Sequence, residues 1–214
     1  FKQKTAYEIG VRLVGSEMCI RDRVLTEQSQ LTSIAVFCAS SRGDQPELIG
    51  LARDLGEHLA KQNMTIVFGG SDAGLMGVVA DAAISQGGHV IGVYPENTFS
   101  RDVRHRGEIE LHLVSSMHER KSAMFNLADA AVALPGGLGT LDEVVELLLW
   151  TQLGIHQLPL VLLDVANFWG KFIGFLDEAV SYGLLNSEFR NSLRTVTDPS
   201  AVIEVLDQLM QSRT

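Results

Sequence analysis

Hydrophobic and polar positions follow two alternating patterns from Ser33 onward. Short apolar runs rich in β-branched residues predict buried strands. These runs cover residues 33–38, 65–69, 89–93, 110–114, 130–134 and 160–163. The stretches between them carry apolar residues at helical spacing, as Leu48, Leu51, Leu55 and Leu59 do. They predict helices over residues 46–62, 75–86, 117–129, 141–153, 168–182 and 199–210.

Strands that alternate with helices predict a parallel sheet covered on both faces. Right-handed crossovers then give a single-domain, Rossmann-like, doubly wound α/β fold. In such a sheet ligands bind beyond the carboxyl ends of the strands. Each glycine-rich segment of this chain follows a predicted strand, so we expect the functional site at that edge.

The first 23 residues do not share this pattern. They have neither helical nor strand periodicity, and no hydrophobic stretch long enough for a signal peptide. The string resembles a translated sequencing-adaptor remnant. We therefore expect residues 1–23 to be a non-native tail, residues 24–32 a linker and residues 33–214 the folded domain.

Composition excludes several classes of partner. The chain carries 17 basic and 26 acidic residues, a net charge of −9, which disfavours nucleic acid as a partner. No apolar run approaches the roughly 20 residues of a transmembrane helix. The two cysteines, Cys19 and Cys38, form no disulfide framework, which favours a reduced, cytoplasmic setting. The six histidines share no metal-ligand spacing, and we expect neither a metal site nor a cofactor.

Three glycine-rich turns, over residues 38–44, 68–77 and 134–143, each end a predicted strand and open a predicted helix. Free N–H groups and the helix dipole favour an anion there. Glycines also let a phosphate approach the main chain closely. None of the turns matches the P-loop of nucleoside triphosphatases. Glycine clusters alone are equally consistent with tight packing of a helix against a sheet.

The third turn, PGGLGTLDE, allows a further structural interpretation. Thr140 and Glu143 fit a capping box, in which the threonine caps the helix and the glutamate reaches back to its start. That interpretation leaves Pro135, Gly136 and Gly137 unexplained.

Upstream of this turn, the sequence MHERK (residues 117–121) opens a helix. It places Arg120 and Lys121 in the first turn, where cations oppose the helix dipole. The two cations are either a solvated charge run or a pair that faces an anion.

Together, MHERK and PGGLGTLDE resemble the M-x-x-R-K and P-G-G-x-G-T-x-x-E motifs of the LOG family. These proteins are cytokinin riboside 5'-monophosphate phosphoribohydrolases, long mislabelled as lysine decarboxylases. The similarity covers about residues 33–182, including GLMG at 74–77 and WTQLGIHQLP at 150–159. The resemblance implies a homodimer that hydrolyses the N-glycosidic bond of a nucleoside 5'-monophosphate, giving a free base and ribose 5-phosphate.

Carried over by motif position, the resemblance implies that Arg120 and Glu143 are the catalytic pair. It implies that the substrate is contacted by Asp102, Lys121, Gly136, Gly137, Gly139 and Thr140. Departure of the base builds positive charge on the ribose, which a carboxylate such as Glu143 could stabilise. Arg120 could bind the phosphate or the ribose, or fix Glu143, and Asp102 could share the work.

Three positions depart from the family pattern. Ser71 replaces the third of three successive glycines, Ala39 replaces a glycine before two serines, and Leu149 replaces a threonine of plant members. These three differences leave the base of the substrate undetermined: it is a cytokinin base, adenine or another base. The main rival function is a non-catalytic carrier of a nucleotide or phosphorylated cofactor, such as a molybdenum-cofactor carrier. A pyridoxal-phosphate lysine decarboxylase and a purely structural oligomer are further rivals, and no lysine here has a context suited to a Schiff base.

Overall fold

The computed structural model describes residues 30–96, 98 and 103–212. Its strands are β1 Ser33–Phe37, β2 Thr65–Phe68, β3 Val90–Pro95, β4 Glu110–Val114, β5 Ala130–Ala133, β6 Leu160–Leu163 and β7 Arg194–Val196. Its helices are α1 Pro46–Lys61, α2 Gly74–Ser85, α3 Met117–Leu127, α4 Leu138–Gln152, α5 Gly170–Ser181, α6 Ser187–Ser192 and α7 Val202–Gln211, the last preceded by a 3-10 turn. The strands form one sheet in the order β4-β3-β2-β1-β5-β6-β7. All of its strand pairs are parallel.

The structure confirms the predicted fold class and all six predicted strands. It adds two elements that were not predicted, α6 and β7. Strand β7 has three residues at the edge of the sheet, and none of them is fully buried. Such a segment is too short, and too exposed, to produce a hydrophobic period.

Helices cover both faces of the sheet, and successive residues of a strand point to opposite faces. In β1, Ile34 and Val36 belong to a core shared with α1, α2 and α7, whereas Ala35 and Phe37 belong to a core shared with α3 and α4. Within the described residues, no helix is both long and apolar enough to cross a membrane.

The site edge follows from the strand order. Strand β1 lies at the centre, with β2 on one side and β5 on the other. The helices that follow β1 and β5 cover opposite faces, and the carboxyl ends of two such strands are where α/β sheets of this kind bind ligands. The three glycine-rich turns all lie at this edge.

The start of β1 is tied down by Asp129. Its Oδ2 atom accepts hydrogen bonds from the N–H groups of Thr32 and Ser33, both at 3.0 Å, and from their hydroxyls at 2.7 and 2.9 Å. Leu31 is buried in the core. Residues 31 and 32 therefore belong to the folded unit, although they were predicted to lie in the linker. The predicted tail, 1–23, and the rest of the linker to residue 29 lie outside the described residues.

We expect Asp129→Asn to destabilise the fold by about 2 kcal/mol, because an amide oxygen replaces a charged acceptor of four hydrogen bonds. Chemical denaturation measures the change. Asp54→Asn, on the exposed side of α1, is the matched control and should change the free energy of unfolding little. Equal stabilities of the two variants would contradict this account of Asp129.

Candidate active site

Local capping sets the start of α3, which carries Arg120. The hydroxyl of Ser116 accepts the N–H of Glu119 at 3.1 Å, and the Glu119 carboxylate accepts the N–H of Ser115 at 2.8 Å. The acid of the motif thus occupies the first turn, where the helix dipole favours it. Arg120 and Lys121 are the fourth and fifth residues of the helix. Arg120 therefore lies at the end of the first turn, as predicted, whereas Lys121 already belongs to the second turn.

Arg120 is buried at the carboxyl edge of the sheet. Its Nε atom donates a hydrogen bond to the carbonyl oxygen of Val93 at 3.2 Å. Its Nη1 atom lies 3.2 Å from Oε1 of Glu143. The guanidinium rests against Gly69, where a Cβ atom would overlap Nη2. Gly69 is therefore required by the arginine and not by its own backbone conformation.

Glu143, the partner of Arg120, lies in the second turn of α4, and this helix begins earlier than predicted. The helix starts at Leu138, with Gly137 as its N-cap, whereas a start at Leu141 was predicted. The capping-box interpretation is wrong, since Thr140 lies inside the helix and Glu143 pairs with Arg120. Both Thr140 and Glu143 are buried.

The surroundings of Glu143 shift its protonation. Burial raises the pKa of Glu143 to about 7, and the charge of Arg120 opposes that shift. A carboxyl group with such a pKa can hold or release a proton near neutral pH. Nearby Cys38 has its pKa raised by burial and by the Glu143 charge. It therefore remains a neutral, buried thiol.

The raised pKa of Glu143 makes the stability of the fold depend on pH. Between the ordinary value of 4.5 and about 7, the folded state holds a proton that the unfolded state has lost. The resulting stabilisation is complete below pH 4.5 and is lost as pH rises through 7. At about 1.4 kcal/mol per pH unit, this loss amounts to about 3 kcal/mol.

A Glu143→Gln variant cannot ionise at this position. We therefore expect the free energy of unfolding of the parent, relative to this variant, to fall by that amount as the pH is raised. Urea denaturation from pH 4.5 to pH 8 measures the difference. If the difference in unfolding free energy between the parent and the variant did not change with pH, Glu143 could not be a buried carboxyl group with a raised pKa.

Lys121 joins α3 to α4. Its Nζ atom lies 2.8 Å from Oδ2 of Asp142 and also pairs with Glu146. Burial alone would lower the pKa of Lys121, but the hydrogen bonds with the two carboxylates raise it overall. The lysine therefore stays charged and helps to hold α4 in place. Its predicted contact with substrate stays a prediction.

Two glycines of the third turn have no structural need to be glycine. At Gly137 and Gly139, a Cβ atom would stand in open space, and neither has a positive φ. Both are exposed beside the first-turn N–H groups of α4, which have no acceptor within the helix. A surface without Cβ atoms lets an anion approach these amides closely. Gly136 differs, since its Cβ would overlap the side chain of Thr140.

The second turn supports the site mainly by packing. Gly74 has a φ of +64°, and a Cβ there would overlap the backbone of Ser40 in the first turn. Ser71, which departs from the family pattern, is buried, and its hydroxyl accepts the N–H of Ala73 at 3.1 Å. Gly74 is thus required by close packing between the two turns, and not by the packing of a helix against the sheet that was the alternative prediction. Asp102, in the loop that follows β3, lies outside the described residues.

Sequence patterns did not reveal three parts of the site: the Val93 carbonyl, Gly69 and Cys38. A main-chain carbonyl has no sequence signature. Gly69 and Cys38 do have a signal, because each ends a predicted strand and belongs to a glycine-rich turn at the edge where ligands bind. The contact of Gly69 with Arg120 and the electrostatic effect of Glu143 on Cys38 depend on where α3 and α4 lie against the sheet, which only the three-dimensional arrangement gives.

The sequence of this chain is similar to a known protein family and to named enzymes. The family profile described as "Possible lysine decarboxylase" matches residues 76–206. The cytokinin riboside 5'-monophosphate phosphoribohydrolase LOG of Oryza sativa subsp. japonica is 41% identical over 174 residues, covering 81% of this chain and 71% of the relative. LOG1 of Arabidopsis thaliana, which bears the same enzyme name, is 39% identical over 174 residues, covering 81% of each chain.

A solved structure shares the fold at lower sequence identity. The molybdenum cofactor binding protein from the phototrophic bacterium Rippkaea orientalis aligns with a TM-score of 0.63 and 22% identity. The alignment covers 86% of this chain and 99% of that protein. At this identity the likeness concerns the fold alone.

Proposed function

Because this chain belongs to the LOG family, whose profile is described as possible lysine decarboxylase, we propose that it hydrolyses the N-glycosidic bond of a nucleoside 5'-monophosphate. The products are the free base and ribose 5-phosphate. The observation that carries the proposal is the buried pair of Arg120 and Glu143, 3.2 Å apart beside the glycine turn. Such a pair supplies a carboxylate to a sugar held by its phosphate.

In this mechanism the 5'-phosphate binds the first-turn amides of α4, from Gly137 to Thr140. Binding there fixes the ribose against Glu143. As the bond from the anomeric carbon to the base nitrogen breaks, positive charge develops on the ribose, and the Glu143 carboxylate stabilises it. A water molecule then forms the new bond to the anomeric carbon, with Glu143 taking up its proton, and the leaving base nitrogen takes a proton from solvent. Glu143 returns its proton to solvent before the next turnover.

We propose that Arg120 acts on the charge of Glu143 and does not bind the phosphate. Its hydrogen bond to Val93 and its contact with Gly69 hold the guanidinium in place. Its charge opposes the rise in the pKa of Glu143, which keeps a larger fraction of the carboxylate ionised at neutral pH. The proposed substrate contacts of Asp102 and Lys121 rest on motif position.

Two substrates test the reaction and its base preference. Purified protein is incubated with AMP and with isopentenyladenosine 5'-monophosphate, and free base is followed by chromatography. We expect base release from at least one of them, with stoichiometric ribose 5-phosphate. Tight binding without release would favour the alternative, a non-catalytic carrier of a nucleotide or phosphorylated cofactor. A carrier has no need of a buried carboxylate beside the sugar.

The description "lysine decarboxylase" does not fit the lysines of this chain. A Schiff-base lysine needs a neutral amine, which a lowered pKa provides. The lysines of the described ranges are Lys61, Lys121 and Lys171. Of these, Lys121 lies at the site, and its two carboxylate partners raise its pKa. We therefore do not assign pyridoxal-phosphate chemistry to the site.

We further propose a homodimer formed through α4. The outer face of this helix is apolar, since Leu138, Val145, Leu149 and Leu153 are 86, 45, 49 and 64% exposed. Asp142 is an exposed charge on the same face, and it pairs with Lys121. Water disfavours so many exposed apolar side chains on one helix, and a second copy of the chain would cover them. For the compartment, we propose the cytoplasm, where Cys38 would remain the buried free thiol that it is here.

Leu149→Glu is expected to weaken the dimer, because it places a charge in the middle of this apolar face. Size-exclusion chromatography with light scattering should give a dimer for the parent and a shift toward monomer for the variant. Gln208→Glu adds the same charge to the exposed side of α7, and it should leave the dimer intact. A monomeric parent at micromolar concentration would refute the proposal.

A further inference from the structure

His105 is a buried histidine outside the catalytic pair. Its side chain is 3% exposed, and its Nε2 atom lies 3.0 Å from Oδ1 of Asp81 on α2. Its Nδ1 atom lies 3.0 Å from the backbone nitrogen of Gly107. A backbone N–H can only donate, so Nδ1 is the acceptor and the ring hydrogen is on Nε2, donated to Asp81. Both ring nitrogens are therefore engaged.

The backbone around His105 is bound to the second glycine turn. The N–H of His105 donates to the carbonyl of Gly70 at 2.9 Å, and the N–H of Asp72 donates to the carbonyl of Val103 at 2.9 Å. Ser71 and Arg104 form the antiparallel bridge between these two bonds. The segment from Val103 to Gly107 thus lies across the turn like a short added strand, and the imidazole anchors it to α2.

The second glycine turn forms the surface against which Arg120 packs, called here the seat of the arginine. The guanidinium rests on Gly69, one residue before the Gly70 carbonyl that His105 holds. Gly70 in turn packs against Val93, and a Cβ on it would lie 3.2 Å from the Val93 carbonyl carbon. The Val93 carbonyl oxygen is the acceptor of Arg120 Nε. A shift of the turn would therefore disturb both contacts that orient the guanidinium.

We infer that His105 and Asp81 are positioning residues for Arg120, acting through the segment 103–107 and the turn that begins at Gly69. This inference rests on the proposed function to the extent that Arg120 serves catalysis. In this role they need contact neither the substrate nor Glu143. Their contribution is to hold the seat of the arginine so that its charge stays beside the carboxylate.

The test uses three variants of the full chain. His105→Ala removes both ring hydrogen bonds, and we expect kcat/KM for base release to fall roughly 100-fold, as for a misplaced catalytic group. Asp81→Ala removes only the acceptor of Nε2, which water can replace, so a loss of about threefold is expected. Asp81 is 75% exposed, so this variant should fold normally. Asp54→Ala, an exposed aspartate of α1, is the control and should match the parent.

A second readout separates positioning from loss of structure and needs no turnover. The carboxyl carbon of Glu143 is titrated by NMR in the parent and in the variants. Displacing Arg120 removes an opposing charge, so the pKa of Glu143 should rise in Asp81→Ala, by roughly half a unit. An unchanged Glu143 pKa in both variants would overturn the inference, even if activity fell. A parent that releases no base would refute the proposed function, and the NMR titration would still decide this inference.

Discussion

Replacing Glu143 by glutamine is expected to lower kcat for base release by about 1,000-fold or more, within the range for loss of a positioned general base. The variant keeps the shape of the side chain and can still hydrogen-bond to Arg120, 3.2 Å from Glu143 in the parent. It removes only the negative charge that would face the ribose in the transition state. Kinetics with saturating substrate, followed by chromatography of the free base, measure the loss.

Glu204→Gln, the same substitution on the exposed surface of α7, is the matched control and should retain parental kcat. Circular dichroism of both variants checks that the fold is intact. A Glu143→Gln protein that kept most of its activity would show that the carboxylate does not serve the reaction, and would return Glu143 to a structural role beside Arg120.

Gly69→Ala is expected to have the next-largest effect, of the same order as that of His105→Ala. The new methyl group would overlap Nη2 of Arg120, and a buried guanidinium has little space in which to retreat. Displacement of about 1 Å commonly costs about 100-fold in rate, so we expect a loss of that order in kcat/KM. Because the displaced charge no longer opposes the raised pKa of Glu143, the acid limb of the pH–rate profile should also move to higher pH.

Gly50→Ala is the matched control for this prediction. Gly50 lies in α1, and nothing stands within 4 Å of where its Cβ would be. There alanine should raise stability by roughly 0.5–1 kcal/mol through helix propensity, with no effect on rate. If Gly69→Ala and Gly50→Ala had equal activity, Arg120 would have to be mobile, contrary to its two fixed contacts.

The sequence was sufficient for the fold because five of its strands, β1, β2, β3, β5 and β6, are buried on both faces and nearly free of polar residues. The short runs around Val36, Val67 and Val132 are rich in β-branched residues and alternate with helical segments, which favours a parallel sheet. The start of α4 was misplaced for a local reason. Thr140 has the residue type of an N-cap, but the chain turns into the helix at Gly137, and Thr140 is buried against Gly136.

For the site, motif spacing predicted which residues matter but not how they are held. Arg120 and Glu143 are 23 positions apart, and their side chains meet because α3 and α4 cover the same face of the sheet. Their catalytic role stays a prediction, as do the substrate contacts of Lys121 and the glycine turn. The supports of the pair, namely Gly69, the Val93 carbonyl and His105, come from three other segments. Such long-range contacts leave no periodic pattern in the sequence, which is why they could not be predicted.

The most direct test is a crystal structure of the Glu143→Gln variant with AMP bound, since that variant should hold the nucleotide without cleaving it. The account predicts the 5'-phosphate on the main-chain amides of Gly137 to Thr140. It also predicts that the glutamine introduced at position 143 lies within hydrogen-bonding distance of the ribose, or of a water facing the anomeric carbon. A phosphate bound elsewhere, or a ribose out of reach of that side chain, would contradict it.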